Sequence, residues 1–115
     1  MRRGEIVIVN LDPSRGSEAS KTRPAVIVSN DAANATATQL GRGVITVVPV
    51  TSNTTRVYPF QVLLPADLTG LPHDSKAQAE QVRSVAVERV GKRVGQLPTP
   101  LITELDQALR VHHSL

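Results

Sequence analysis

Arg23 is the residue whose type and position say most about chemistry, because it places a cation between a polar loop and an apolar run. Residues 16–22 are small, polar or charged, whereas residues 25–28 are apolar. A guanidinium keeps its charge at any relevant pH and can grip a phosphate through two parallel N–H donors. The alternative is a surface cation paired with Glu18, a common and weakly stabilising arrangement.

Thr51-Ser52-Asn53 is a second polar motif, and it lies at the end of the strongest predicted strand of the chain, residues 44–51. Binding and catalytic groups are often built where a strand opens into a loop. The same three residue types are also favoured in ordinary turns, so the motif alone does not decide between the two roles.

Glu80-Gln81-Val82-Arg83-Ser84 is a third segment with binding chemistry, because polar residues alternate there with small or apolar ones. Gln81 and Arg83 lie two positions apart, so they share a face if the segment is extended. Such a face could contact the bases or the backbone of a nucleic acid. The alternative is a solvated strand face without a ligand.

Other kinds of site find no support in the sequence. His73, His112 and His113 are not spaced with a second histidine and a carboxylate as a zinc site requires, so no metal is expected. There is no Gly-x-Ser-x-Gly elbow and no glycine-rich phosphate loop. We therefore expect no cofactor and no activated serine.

These residues must be positioned by short strands. Glycine- and proline-rich turns separate the apolar and β-branched runs, and Pro24 is expected at the first position of the second strand. Pro49 and Pro59 fall inside predicted strands and indicate an edge position or a bulge. The predicted strands are residues 4–11, 25–29, 44–51, 58–64 and 91–97.

Helices are predicted at three places. A short one follows the turn signal Asn30-Asp31 at residues 32–38, and a helical turn is possible at 87–90. The C-terminus is an amphipathic helix in which Thr99 is placed to cap and Pro100 to take the first position. The sum is a mainly β (α+β) fold, a small antiparallel barrel with a C-terminal helix, as a single domain of residues 1–115.

The composition is that of one ordinary globular domain with 115 residues, 40% of them apolar. The chain has no cysteine, and its apolar runs are far shorter than the roughly 20 residues of a membrane span. A cytoplasmic protein without a membrane partner is expected. The net charge of +3 is only weak evidence for a nucleic-acid partner.

Taken in order, these segments resemble the MazF/PemK family of toxin endoribonucleases (mRNA interferases) of type II toxin–antitoxin systems. The most specific match is Gly16-Ser17-Glu18 followed by the run Arg23-Pro24-Ala25-Val26-Ile27-Val28-Ser29. The other matching blocks are Arg3-Gly4-Glu5-Ile6 with Leu11-Asp12-Pro13, Val48-Pro49-Val50-Thr51-Ser52, Tyr58-Pro59-Phe60-Gln61-Val62 and Glu80-Gln81-Val82-Arg83-Ser84.

The resemblance implies an SH3-like barrel of the CcdB/MazF type in a homodimer, whose loops, residues 14–22, act as lids over an RNA groove. It implies metal-independent cleavage of single-stranded RNA (mRNA, with rRNA or tRNA as other targets) at a short specific sequence. The 2′-hydroxyl attacks its own phosphate, and growth and translation are inhibited. The implied partner is a cognate MazE-like antitoxin whose disordered tail occupies the same groove.

Carried over by motif, Arg23 and Thr51 are the catalytic pair: Arg23 stabilises charge on the phosphate, and Thr51 donates a hydrogen bond or orients the 2′-hydroxyl. The general acid and base are not identified by the motifs. The residues expected to bind RNA or to support the pair are Glu18, Lys21, Ser52, Asn53, Gln81 and Arg83.

Two other functions compete with the ribonuclease. One is a non-enzymatic gyrase poison of the CcdB kind, and the other is an SH3-like binding module without activity. The Arg23-Pro24 and Thr51-Ser52 motifs favour the ribonuclease, and the Trp-Gly-Ile ending expected of the gyrase poison is absent.

Overall fold

Three strands form the centre of the sheet in this computed structural model, which describes residues 1–13, 15–19 and 21–115. They are β1 (Glu5–Asn10), β2 (Thr22–Ile27) and β3 (Val44–Thr51). β2 pairs antiparallel with β1 on one side and with β3 on the other. Runs of Val and Ile favour this pleated, packed arrangement.

The second edge of β3 has two different partners. Residues 44–47 pair with β6 (Arg83–Ala86), and Val50 and Thr51 pair with β5 (Ser75–Gln78). A single 3₁₀ turn, Ala79–Gln81, lies between β5 and β6 in the chain. β4 (Gln61–Leu64) extends the sheet beyond β5, and β7 (Val90–Gln96) extends it beyond β1.

Pro49 is explained by the change of partner along β3. On one side it lies opposite Ala25, and on the other side it falls between the two stretches that pair with β6 and β5. A proline is tolerated there because the missing N–H is not needed by a neighbouring strand on that side. The predicted edge position is wrong, since β3 is central, but an interrupted ladder accommodates the proline.

The two faces of the sheet bury two apolar clusters. Even-numbered residues of the central strands, such as Ile6, Val26 and Val48, face the first cluster, together with Leu101 and Leu105 of helix α3 (Thr99–His113). Odd-numbered residues, such as Val9 and Val47, face the second cluster. This alternation follows from the two-residue period of a strand, and it decides on which face each polar residue lies.

Helix α1 (Asp31–Leu40) is longer than the predicted residues 32–38. Its first turn is capped by Asn30, whose side chain accepts a hydrogen bond from the Ala33 N–H at 2.8 Å. Gly41, at φ 66°, ends the helix in the left-handed conformation that favours glycine. Asn34 is fully buried, and its amide nitrogen donates to the Ser29 carbonyl at 2.9 Å.

Asp31 joins helix α1 to the start of the chain. Its carboxylate accepts a hydrogen bond from the Arg3 backbone N–H at 2.7 Å. That bond, which favours the ionised form, is the main reason why the pKa of Asp31 lies below its usual value of 3.8. The Arg3 guanidinium reaches further, to the Val28 carbonyl at 2.9 Å and the Asp106 carboxylate at 2.5 Å. Arg3 therefore ties the segment before β1 to α3.

Several predicted boundaries need correction. β2 begins at Thr22, so Arg23 lies inside the strand and Pro24 is its third residue, not its first. Residues 58–60 form a turn before β4, closed by the Gln61 N–H donating to the Tyr58 carbonyl at 2.8 Å. Pro98, not Thr99, precedes the first residue of α3, and no side chain caps that end.

The predicted mainly antiparallel sheet with a C-terminal helix is confirmed. In the described residues the path of pairing ends at β4 and β7, so the predicted barrel is an open sheet. The predicted helical turn after β6 is present as a 3₁₀ turn, Val87–Arg89, and a further short helix, α2 (Ala66–Thr69), follows β4. Among the described helices none is long and apolar enough to cross a membrane.

Candidate RNA-cleavage site

Arg23 and Thr51 come together on neighbouring strands. The pairing of β2 with β3 sets Ala25 opposite Pro49, and the same register continued by two residues sets Arg23 opposite Thr51. Directly opposed residues of an antiparallel pair have Cβ atoms about 4.5–5.5 Å apart and lie on the same face. Both side chains are half-buried, and both line one cavity of about 300 Å³.

The cavity is bounded by two loops and by the turn that follows α2. Lys21 and Ser52, two of the predicted supporting residues, line it as exposed side chains. Lys21 has a φ of 67°, and both of its backbone polar groups are hydrogen-bonded. Its N–H donates to the Asp12 carboxylate at 2.8 Å, and its carbonyl accepts from the Leu11 N–H at 3.0 Å. The basic side chain is therefore placed at the cavity by a left-handed turn with fixed backbone contacts.

Asn53 lies beyond the cavity and organises the loop after β3. Its backbone N–H donates to the Thr51 hydroxyl at 3.3 Å, and its side-chain oxygen accepts from the Thr55 N–H at 3.2 Å. The first bond leaves the Thr51 hydroxyl proton available for another acceptor, because the hydroxyl oxygen is the acceptor here.

Glu18, Gln81 and Arg83 line a different depression, of about 460 Å³, together with Glu80, Val82 and Ser84. Arg83 lies opposite Val47 of β3, four residues before Thr51. At about 3.3 Å per residue, the two positions are about 13 Å apart along the same face of the strand. The predicted site residues therefore divide between two adjacent depressions.

Gln81 and Arg83 do not share one extended segment, so that prediction is wrong. Gln81 belongs to the 3₁₀ turn and Arg83 begins β6. The Gln81 amide holds the opening loop instead: its oxygen accepts from the Ala19 N–H at 3.0 Å, and its nitrogen donates to the Ser17 carbonyl at 3.0 Å. Gln81 thus fixes the described part of the loop above the second depression.

The opening loop is described at residues 15–19 and 21–22, so the predicted lid at 14–22 lies partly outside the described residues, at 14 and 20. Glu18 is exposed, and its carboxylate accepts a hydrogen bond from the Arg15 N–H within the loop. Arg83 is half-buried, and its guanidinium donates to the Leu11 carbonyl at 3.4 Å, at the start of the same loop.

Lys76 is a buried cation beside the catalytic candidates, since it lies opposite Thr51 on β5. Its ammonium donates to the Arg56 carbonyl at 2.7 Å and lies 5.9 Å from the centre of the Tyr58 ring. The same ring stacks on Phe60 at 5.3 Å between centroids. Lys76 therefore connects the sheet to the loop that follows Ser52.

His73 also lines the cavity of Arg23 and Thr51, and sequence reasoning missed it. The sequence spacing of His73 from the other histidines does not suit metal ligands, so it does not single this residue out. Its neighbours in the cavity come from strands far away in the sequence, so no local pattern could have shown the juxtaposition. Among the described residues, no three His, Cys, Asp or Glu side chains cluster in a way that could hold a metal ion.

Comparison with known proteins identifies the family of the chain. Residues 2–113 match the family model for the PemK-like, MazF-like toxin of type II toxin–antitoxin systems. Endoribonuclease MazF9 of Mycobacterium tuberculosis (strain ATCC 25618 / H37Rv) is 64% identical over 115 residues, covering 100% of this chain and 98% of the relative.

Two solved structures from Deinococcus radiodurans share the fold, each at 26% identity and over 100% of this chain. The crystal structure of MazF (Form-I) matches with a TM-score of 0.79 over 97% of that chain. The crystal structure of MazE-MazF (Form-II) matches with a TM-score of 0.73 over 96% of that chain.

These matches confirm the predicted family, and they give no support to a gyrase poison or an inactive binding module. The family model spans nearly the whole chain, and the relative from M. tuberculosis is similar from end to end. The chain therefore belongs to the PemK-like, MazF-like toxins of type II toxin–antitoxin systems, a family of endoribonucleases.

Proposed function

We propose that this toxin cuts single-stranded RNA without a metal ion, at the cavity that Arg23 and Thr51 share. The observation that carries the proposal is that Arg23 and Thr51, both half-buried, line the same cavity of about 300 Å³, as expected where the register of β2 and β3 is continued to these residues. A phosphodiester placed there would contact a permanent cation and a hydroxyl donor together.

The chemistry needs no protein nucleophile, because the 2′-hydroxyl of the RNA attacks the adjacent phosphorus. The protein has to align that oxygen with the phosphate and stabilise the charge that grows on the non-bridging oxygens. Arg23 supplies the charge stabilisation. Thr51 donates a hydrogen bond to a non-bridging oxygen or orients the 2′-hydroxyl, and the products are a 2′,3′-cyclic phosphate and a 5′-hydroxyl end.

The other predicted residues bind RNA on either side of the cut. Lys21 and Ser52 hold the phosphates nearest to it, and Asn53 supports the loop that carries Ser52. The second depression takes a neighbouring stretch of the strand through Glu18 and Arg83, with Gln81 fixing the loop beside it. The support for this division is that the cavity and the depression lie along one face of β3.

The assembly proposed for the toxin is a homodimer, a single domain from each chain, neutralised by a cognate MazE-like antitoxin that covers the same groove. The MazE-MazF structure of D. radiodurans supports an antitoxin partner. Cellular targets are mRNA, with rRNA or tRNA as other substrates, and the compartment is the cytoplasm. Light scattering of the purified protein, with and without the antitoxin, measures both assembly states.

The test of activity is incubation of the purified protein with a mixed RNA pool in EDTA. We expect discrete fragments with 5′-hydroxyl ends from the wild type, and a rate about 10²–10³-fold lower from Arg23→Ala, as for loss of one transition-state donor. Arg110→Ala, which removes an exposed arginine of α3, is the matched control and should cut normally. Uncut RNA, or equal cutting by Arg23→Ala, would contradict the proposal.

A second variant separates catalysis from binding. Thr51→Ala should lower the cleavage rate more than it weakens binding of a 2′-deoxy RNA analogue that cannot be cut. If only the affinity for the analogue changes, Thr51 is a binding residue and the pair has to be reassigned.

A further inference from the structure

Proton transfer is the step that the Arg23–Thr51 pair does not supply. The guanidinium keeps its proton in proteins, and a threonine hydroxyl is a weak acid. The departing 5′ oxygen must nevertheless gain a proton, because an alkoxide is a poor leaving group. Among the described residues that line the cavity, the titratable ones are Lys21, Arg23 and His73. Histidine alone among these types ordinarily changes charge between about pH 5 and 8.

His73 is held at the cavity wall by its backbone. The Ser75 hydroxyl donates to the His73 carbonyl at 2.9 Å, and the Asp74 carboxylate accepts from the Ala66 N–H at 2.8 Å. The turn is therefore tied to β5 on one side and to α2 on the other. The His73 residue is exposed, so an RNA strand in the cavity can reach the imidazole.

We propose that His73 is the general acid of RNA cleavage and protonates the leaving 5′ oxygen. This inference rests on the proposed function of the cavity. The bond from O2′ to phosphorus forms, the bond from phosphorus to O5′ breaks, and the 2′ proton passes to hydroxide from the solvent. The imidazolium N–H proton passes to O5′, and the neutral imidazole regains a proton from water.

The charged groups around His73 favour this direction of transfer. Arg23 and Lys21 face the cavity from the β2 side and stabilise the phosphate and the attacking 2′ oxyanion. Asp74, on the same turn, is engaged with α2 and balances part of the positive charge. Because the acid must be protonated, the wild-type rate should rise with pH and then level off where the imidazole loses its proton.

The primary variant is His73→Gln, which keeps a polar side chain but cannot transfer a proton. We expect its cleavage of unmodified RNA to fall about 10²–10⁴-fold in kcat with little change in KM, the usual contribution of a positioned acid. His113→Gln, which replaces an exposed histidine of α3, is the matched control. Circular dichroism and thermal unfolding should show that both variants fold like the wild type.

The decisive substrate is an RNA that carries sulfur in place of the 5′ bridging oxygen at the cut. A thiol is far more acidic than an alcohol, with a pKa of about 8.5 for a cysteine-like group, so its thiolate leaves without protonation. On this substrate His73→Gln should cut within about threefold of the wild type, and the levelling of the pH profile should disappear.

Each outcome decides the point. Rescue by the sulfur substrate supports His73 as the acid, and an equal loss on both substrates overturns that role, as does unchanged cutting of ordinary RNA by His73→Gln. The wild-type protein on ordinary RNA is the internal control. If the wild type does not cut this RNA in EDTA, the proposed function fails. If the wild type cuts normally and His73→Gln cuts equally well, the proposed function stands and only the role of His73 is lost.

Discussion

The hydrogen bonds of Gln81 lead to a quantitative prediction for the opening loop. Gln81→Leu keeps a side chain of roughly similar volume but removes both the acceptor for the Ala19 N–H and the donor to the Ser17 carbonyl. No other hydrogen bond of the Ala19 N–H is seen among the described residues. The substitution should therefore release this loop while leaving the sheet intact.

The magnitude follows from the two bonds. Each neutral hydrogen bond contributes about 1 kcal/mol net, so the loop should open about 2 kcal/mol more easily. Since 1.36 kcal/mol corresponds to a factor of ten, the Ala19 amide should exchange with deuterium about 30-fold faster. The free energy of global unfolding should change by about 1 kcal/mol or less, because Gln81 is only half-buried.

Hydrogen–deuterium exchange read at the Ala19 amide is the appropriate assay. Gln107→Leu, on the exposed face of α3, makes the same chemical change away from the loop and should leave Ala19 unaffected. An unchanged exchange rate at Ala19 in Gln81→Leu would refute the reasoning, because it would mean that other contacts hold the loop.

Three further predictions concern stability. Asn34→Ala should lower the free energy of unfolding by about 1–3 kcal/mol in urea, because the part-buried Ser29 carbonyl loses the donor that the buried Asn34 amide supplies; a smaller loss would mean that water replaces it. Gly95→Ala should lower the free energy of unfolding by about 1–3 kcal/mol, measured by thermal unfolding, because a Cβ there would lie 2.3 Å from the Thr69 carbonyl oxygen. An unchanged unfolding midpoint would show that the end of α2 can move aside. The pKa of Asp31 is lower in the folded state than its usual value of 3.8, so the ionised carboxylate stabilises the fold fully above pH 3.8 and less as pH falls through the folded-state pKa. The difference in unfolding free energy between wild type and Asp31→Asn should therefore shrink below pH 3.8. A difference that stays constant with pH would exclude this linkage.

The central elements of the fold were predictable from sequence because local pattern and tertiary packing agree there. β3 has the predicted bounds, since its β-branched residues face an apolar cluster on each side. Helix α3 shows the expected spacing of Leu101, Leu105 and Ala108, all buried. In both elements a single local preference coincides with burial, which is the condition for reliable prediction from sequence.

The errors fall where contacts between distant segments decide the structure. Thr22 and Arg23 look like loop residues, but pairing with Asn10 and Val9 draws them into β2. Residues 58–60 look like a strand, but they form a turn whose Tyr58 ring lies 5.9 Å from the Lys76 ammonium of β5. Tertiary context overrides a weak local preference in both cases.

The candidate site was predictable in part. The motifs named Arg23 and Thr51, and the register of β2 with β3 explains why these distant residues share a cavity. The contacts of Gln81 with the opening loop could not be predicted, because they join segments more than 60 residues apart. The neighbourhood of His73 depends in the same way on a turn brought to the cavity by β5.

The change of partner along β3 fixes the distance between two positions of the candidate site. Thr51 and the residue opposite Arg83 belong to one central strand, and that strand is hydrogen-bonded along both edges. Movement of the surrounding loops can change the affinity for a ligand, but it cannot change the distance between these two positions of β3. Any polymer that contacts both Thr51 and Arg83 must therefore match a fixed spacing of about 13 Å. Substitutions in the loops can thus change which ligand binds without changing the distance between its two contact positions.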